Sequence, residues 1–175
     1  MSSINVRDQD LIIVGTDNSL FVFNVDQNAQ VFTSLISDGV FSVAVSKSNT
    51  IYAGSNCSIL GYDTNGEEVF WTVTGDIVTA MCEAEISGAV SLVAASKDLM
   101  IRVFVGEESK REMRIHFPCT FLTSVGPGMF VAGFENGNVA LYNNLQKVWN
   151  YSTQDSIVGM TMIDFGGRRA KDLVV

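Results

Sequence analysis

Histidine occurs once in this chain of 175 residues, proline twice and cysteine three times, and each scarcity removes a class of function. A single imidazole, His116, cannot build a metal centre of several histidines, and a Ser/His/Asp arrangement would have to form around it alone. It precedes Phe117-Pro118 after a basic run, a place that suits a partly exposed structural residue better than a general base. Cys57, Cys82 and Cys119 form an odd, irregularly spaced set, which fits reduced, buried thiols rather than a disulfide framework. Cations are few: 11 Lys and Arg against 19 Asp and Glu give a net charge of -8, which opposes nucleic-acid binding. The one basic cluster, Lys110-Arg111-Glu112-Met113-Arg114, is short and interrupted and reads as a solvated turn. No stretch fits the phosphate-cradling G-x-x-x-x-G-K-[ST] pattern. Apolar runs such as Leu11-Ile12-Ile13-Val14 fall far short of the roughly 20 residues that span a bilayer as a helix. The first residues lack the basic-then-apolar layout of a signal peptide, so a cytosolic chain is expected. The sequons at Asn56 and Asn150 are then coincidental.

What is present is a repeat. Apolar content of 47% with 17% charge describes a folded body, and the chain aligns with itself on a small or branched residue near the end of an apolar run. The anchors Val14, Ala53, Ala94 and Ala132 are separated by 39, 41 and 38 positions, and a fifth copy begins at Lys171-Asp172-Leu173-Val174-Val175. Each copy holds an apolar run, a polar turn, a second run closing on Phe23, Tyr62, Phe104 or Tyr142, another turn and usually a third run. A further run lies between copies, as in VFSVAV from Val40 and IVTAM from Ile77. Short runs rich in Val, Ile, Phe and Tyr between Gly/Asn/Asp turns read as strands, and helical periodicity is not evident over any long window.

Four strands in a period of about 40 residues is the pattern of propeller blades. The expected architecture is all-β, a partial β-propeller of four-stranded antiparallel blades, about three full blades plus two incomplete ones. The whole of residues 1–175 is expected to be a fragment of one propeller domain, with blades near 7–36, 40–73, 77–113, 117–151 and, incomplete, 157–175. Closed propellers typically need four to eight blades, so a longer protein is expected, and the open blade edges are expected to self-associate. Gly15, Gly54 and Gly133, with Ala95 in the third copy, are read as structural positions where little more than a backbone fits. Trp71 and Trp149 are read as structural residues; Trp71 is either an inter-blade wedge or an exposed anchor, with burial favoured, and as a wedge Trp71→Ala would cost about 3 kcal/mol.

Asp63, Gly66 and Trp71 loosely resemble the repeat of quinone-cofactor propeller enzymes. The tryptophan recurs only at Trp149, however, and no two cysteines are adjacent to floor such a cofactor. Two acidic loops, within Cys82 to Leu92 and Ile163 to Leu173, offer too few carboxylates for calcium. No catalytic, metal or cofactor residue is therefore nominated. A WD-repeat adaptor, the other alternative, would carry Gly-His and Trp-Asp pairs that are absent here.

The stretch Asn56 to Val78, which includes Asn56-Cys57 and the block Phe70 to Asp76, is followed by Ser96 to Phe104 and Glu135 to Tyr142. Together they resemble the amino-terminal propeller of the Bardet-Biedl syndrome protein 2 family, subunits of the BBSome, over about Leu11 to Val175. The family's acidic, glycine-rich loops are altered here in EAEISGAV and DFGGRRAKD. The resemblance implies a non-enzymatic scaffold in a coat-like complex that an Arf-like GTPase recruits to membranes and that moves membrane proteins into and out of cilia. Other BBSome subunits would be its direct partners, and its place would be the cytosol, the cilium, the basal body and the cytosolic face of the ciliary membrane. On a propeller, the loops after the second strand and those leading into each blade share one rim, where partners usually bind. That nominates Thr16, Asp17, Asn18, Asp38, Ser55, Asn56, Asp76, Lys97, Asp98, Glu135 and Asn136.

Overall fold

The computed structural model describes residues 2–6, 9–157, 159–163 and 172–174, and every regular element among them is a β-strand. They fall into two compact units, Met1–Val78 and Thr79–Val175.

The first unit holds two four-stranded sheets, each with its strands in chain order. Sheet 1 is built from β1 (Ser2–Val6), β2 (Gln9–Gly15), β3 (Ser19–Asn24) and β4 (Ala29–Leu35). Sheet 2 is built from β5 (Ser42–Val45), β6 (Ile51–Gly54), β7 (Ser58–Tyr62) and β8 (Glu68–Val73). β1 pairs antiparallel with β2, Ser2 opposite Ile13, and so supplies sheet 1 with a fourth strand ahead of the boundary at residue 7 that the repeat suggests. The repeat does not reveal it because Ser2-Ser3-Ile4-Asn5-Val6 is too polar to stand out as an apolar run. Leu11, Ile13, Leu20 and Val22 of sheet 1 pack with Ile51, Ala53 and Tyr62 of sheet 2 in one core. Ser34 Oγ donates to the Tyr62 hydroxyl at 2.9 Å, and burial lifts that phenol's pKa above its ordinary value.

The second unit repeats the design. Sheet 3 comprises β9 (Val78–Ile86), β10 (Ala89–Ser96), β11 (Met100–Val105) and β12 (Glu108–Arg114). Sheet 4 comprises β13 (Cys119–Gly126), β14 (Met129–Phe134), β15 (Asn138–Asn143) and β16 (Gln146–Ser152). A last pair, β17 (Thr161–Ile163) and β18 (Asp172–Val174), follows. Val93, Ile101 and Val103 pack against Leu122, Phe130 and Tyr142 in the core between sheets 3 and 4, and Phe130 stacks on Tyr142 at 5.1 Å. Two positive-φ residues close the β15–β16 hairpin, Asn144 at 47° and Leu145 at 73°, the backbone that two-residue hairpins require. A leucine in that conformation costs roughly 1–2 kcal/mol, offset here because its side chain packs on the core.

Within each unit, small residues and hydroxyls recur where a sheet meets the chain that follows its fourth strand. A Cβ on Gly54 would lie 2.7 Å from Val78 Cγ1, one on Gly133 would lie 2.8 Å from Ile157 Cγ2, and one on Gly15 would overlap Val40. Beside them, Ser42 Oγ donates to the Val78 carbonyl at 3.0 Å. Thr79 Oγ1 donates to the Cys119 carbonyl at 2.6 Å, and Thr120 Oγ1 to that of Ile157 at 3.0 Å. Glycine at this place lets the following chain approach, and the hydroxyl holds one of that chain's carbonyls.

Three expectations change. The basic cluster at 110–114 is not a turn but most of β12, an edge strand whose charges face water. Cys82 and Cys119 are buried, but Cys57 is exposed in a turn at φ 61°. The third change is the largest: Trp71 is 51% and Trp149 50% exposed, whereas Phe70 is buried at 8%. The cause is a β-bulge that recurs in every third-to-fourth strand pairing, between Val22/Phe23, Gly61/Tyr62, Val103/Phe104 and Leu141/Tyr142. Tyr62 pairs with Glu68 but Gly61 with Phe70, so Val69 is an extra residue on β8; Val148 is its equivalent on β16. Without the bulge, Trp71 would stand opposite buried Ile59, and one added residue flips it to the outer face; on β16 both faces are exposed, so Trp149 is exposed in either register. Phe70 then points inward and meets Tyr52 edge-on at 5.2 Å.

Candidate partner-binding rim

At one end of each sheet, the turn between the second and third strands is tied to the linker that leaves the fourth. In sheet 1 the Ile36 N–H donates to the Asn18 carbonyl at 2.9 Å and the Val40 N–H to that of Thr16 at 2.8 Å. This brings Thr16, Asp17 and Asn18 beside Asp38. In sheet 2 the Thr74 N–H donates to the Cys57 carbonyl at 2.9 Å and the Val78 N–H to that of Ser55 at 3.1 Å, which joins Ser55 and Asn56 to Asp76. In the second unit the same tie links Ile115 to Leu99 at 2.9 Å and Thr153 to Gly137 at 2.9 Å, next to Lys97-Asp98 and Glu135-Asn136 respectively.

Within these ties the nominated side chains divide. Asp17, Asn18, Asp38, Asn56, Lys97, Glu135 and Asn136 are exposed, and Thr16, Asp76 and Asp98 half-buried. Several serve the turn itself: Thr16 Oγ1 accepts the Ser19 N–H at 3.1 Å, and Asp76 Oδ1 accepts that of Ile77 at 2.7 Å. Ser55 is withdrawn from the surface at 1% exposure, and no hydrogen bond to its Oγ is present among the described residues. Asp98 turns inward to Arg102, whose guanidinium meets it at 2.5 Å and reaches Glu112 on β12 at 3.6 Å. Burial raises the Asp98 pKa, but hydrogen bonds from Arg102 and Ser96 and the guanidinium charge outweigh that effect and hold it below the usual carboxylate value.

Two rim positions escaped the sequence reading. Asp38 and Asp76, each two residues beyond its tie, repeat at Phe117 and Asp155, both exposed in the linkers of the second unit. The period of about 40 residues would have found them. In the first unit the exposed rim charges are acidic, with Asp17 and Asp38 close together; in the second, Lys97 and His116 stand among Glu135 and Asp155. Among the described residues no group of three or more His, Cys, Asp or Glu side chains is placed to hold a metal, and no helix is long and apolar enough to cross a membrane. The loop at 164–171, weighed as a cation loop, lies outside the described residues.

Residues 78–175 match the family model for ciliary BBSome complex subunit 2, middle region, and residues 2–46 match that for its N-terminal region. The chain is 34% identical over 154 residues to BBSome complex member bbs-2 of Caenorhabditis elegans, covering 85% of this chain and 22% of that protein. It is 28% identical over 172 residues to BBS2 of Danio rerio and 27% identical over 172 residues to BBS2 of Homo sapiens, covering 94% of this chain and 24% of each relative. The chain thus spans less than a quarter of the length of these relatives. Among solved structures it is similar to that of U3-55K, with TM-score 0.75 and 15% identity over 88% of this chain and 52% of that one. It is also similar to a chain in a crystal structure of the mitotic checkpoint complex, with TM-score 0.76 and 12% identity over 93% and 55%. These neighbours have the β-propeller fold, and at such identities the likeness speaks for the fold alone.

Proposed function

Because the chain belongs to the BBSome subunit 2 family, we infer that it is part of a single propeller domain acting as a non-enzymatic, protein-binding scaffold within a BBSome. The family match over residues 78–175 carries this reading. In it, the complex is a coat-like assembly that an Arf-like GTPase recruits to membranes and that moves membrane proteins to and from cilia. It works from the cytosol at the basal body, the cilium and the cytosolic face of the ciliary membrane. Sister subunits are the direct partners, and ciliary membrane proteins are reached through them. The rim gives the scaffold its contact chemistry: exposed carboxylates and amides on turns held by backbone hydrogen bonds, so that little ordering entropy opposes binding.

The test is affinity capture of the tagged chain from ciliated cells. Sister BBSome subunits are expected to co-purify, and the double change Asp17→Lys and Asp38→Lys is expected to reduce that capture several-fold without altering thermal unfolding. Capture of no sister subunit, or co-purification of a quinone cofactor, overturns the reading.

A further inference from the structure

The second unit contains a groove that the rim does not account for. It has a volume of 350 Å³, within the range of sites that hold small ligands or short peptide segments. One wall is the end of β12 and the linker beyond it, where Arg114, His116 and Phe117 stand; the other is β15 and β16. Asn138, Ala140 and Tyr142 are alternate residues of β15, so they share one face and the groove follows the strand between them. That run is about 13 Å, the length of roughly four extended residues.

The lining has a definite chemistry. Ile115, Phe134, Ala140 and Tyr142, all buried, form an apolar floor, while Phe117 is 46% exposed at the edge. Arg114 and Lys147 are exposed and have no ion-pair partner among the described residues. No Asp or Glu lines the groove. In a chain of net charge -8, a cleft whose charged lining residues are all cations departs from the surrounding surface, so its charge reflects the site rather than the background. Asn138 and Asn150 add amides able to bond an extended backbone.

We propose that this groove between β12 and the β15–β16 hairpin docks an extended, acidic peptide segment of a partner protein, with an apolar or aromatic residue seated on the Phe134–Tyr142 floor and carboxylates facing Arg114 and Lys147. The segment lies along β15. The cations set its orientation and speed its capture, and the apolar anchor supplies most of the contact area. The site adjoins the rim at the linker after β12 and does not depend on which complex the chain joins.

The test uses the whole 175-residue chain and fluorescence anisotropy. The probe is a labelled peptide with a Leu-Phe pair flanked on both sides by glutamates; the comparison probes are the same peptide with lysines in place of glutamates and an oligothymidylate of equal charge. The acidic peptide is expected to bind saturably and in preference to both. Arg114→Glu and Lys147→Glu are each expected to weaken it about tenfold. Both side chains are exposed, so the fold should survive, as circular dichroism will check. Lys110→Glu, on the same strand but outside the groove, should change affinity less than twofold. Failure to saturate, equal binding of the lysine peptide, tighter binding of the oligonucleotide, or indifference to both charge reversals overturns the proposal.

Discussion

β14 and β16 lie two strands apart in one sheet and follow opposite rules. Every residue of β14 from Phe130 to Phe134 is buried, and all seven residues of β16 are exposed. β12, which holds the equivalent outer place in sheet 3, is exposed as well, yet it is built of charges where β16 presents Trp149 stacked on Tyr151 at 6.2 Å. In sheets 3 and 4 burial therefore dictates sequence on the inner strands, whereas the outer strand needs only to complete the ladder. Its side chains are free to differ from sheet to sheet, which is where surface chemistry can diverge.

Substitutions on the two strands test this contrast directly. Phe130→Ala, which removes a ring that is 0% exposed, is expected to lower stability in urea unfolding by about 3–5 kcal/mol. Trp149→Ala on β16 should cost under about 0.5 kcal/mol, as should Trp71→Ala on β8. Comparable losses at Phe130 and Trp149 would erase the distinction between inner and outer strands. Gly133→Val places a side chain against Ile157 and Met160 and should cost about 1–3 kcal/mol by overpacking. A neutral result would show that the next strand can move away. Thr79→Val keeps the shape but removes the donor to the Cys119 carbonyl, leaving a loss of about 1 kcal/mol.

Smaller effects sharpen the contrast at ionisable groups. Asp98 titrates below the ordinary value of 3.8 when folded, so the unfolded chain holds the proton more tightly. The stability this contributes is complete above that value and is lost as pH falls through the folded pKa. Asp98→Asn should therefore flatten the acid limb of a urea-midpoint profile; an unchanged slope would dissociate the Arg102 pair from stability. The thiols divide in the same way as the strands. Burial pushes Cys119 up to about 12 and raises Cys82 as well, whereas Cys57 is exposed. Iodoacetamide at neutral pH should modify Cys57 alone in the native chain, as mass spectrometry will show, and all three cysteines after unfolding.

The period, the strands and the small residues at Gly15, Gly54, Ala95 and Gly133 were legible in the amino-acid sequence, because the spacing of apolar runs and turns is a local property of the chain. The rim turns were legible for the same reason, and the period extended to Phe117 and Asp155 completes them. The outward turn of Trp71 and Trp149 was not legible. A bulge is a mismatch between two strands, and one added residue on β8 reverses inside and outside without leaving a mark in composition, while β16 has no inner face to mark. Nor did any local pattern show that Ser55 is buried, or that Arg114 and Lys147 flank one groove. Those facts depend on how separate strands and linkers pack, which the local run of residues does not encode.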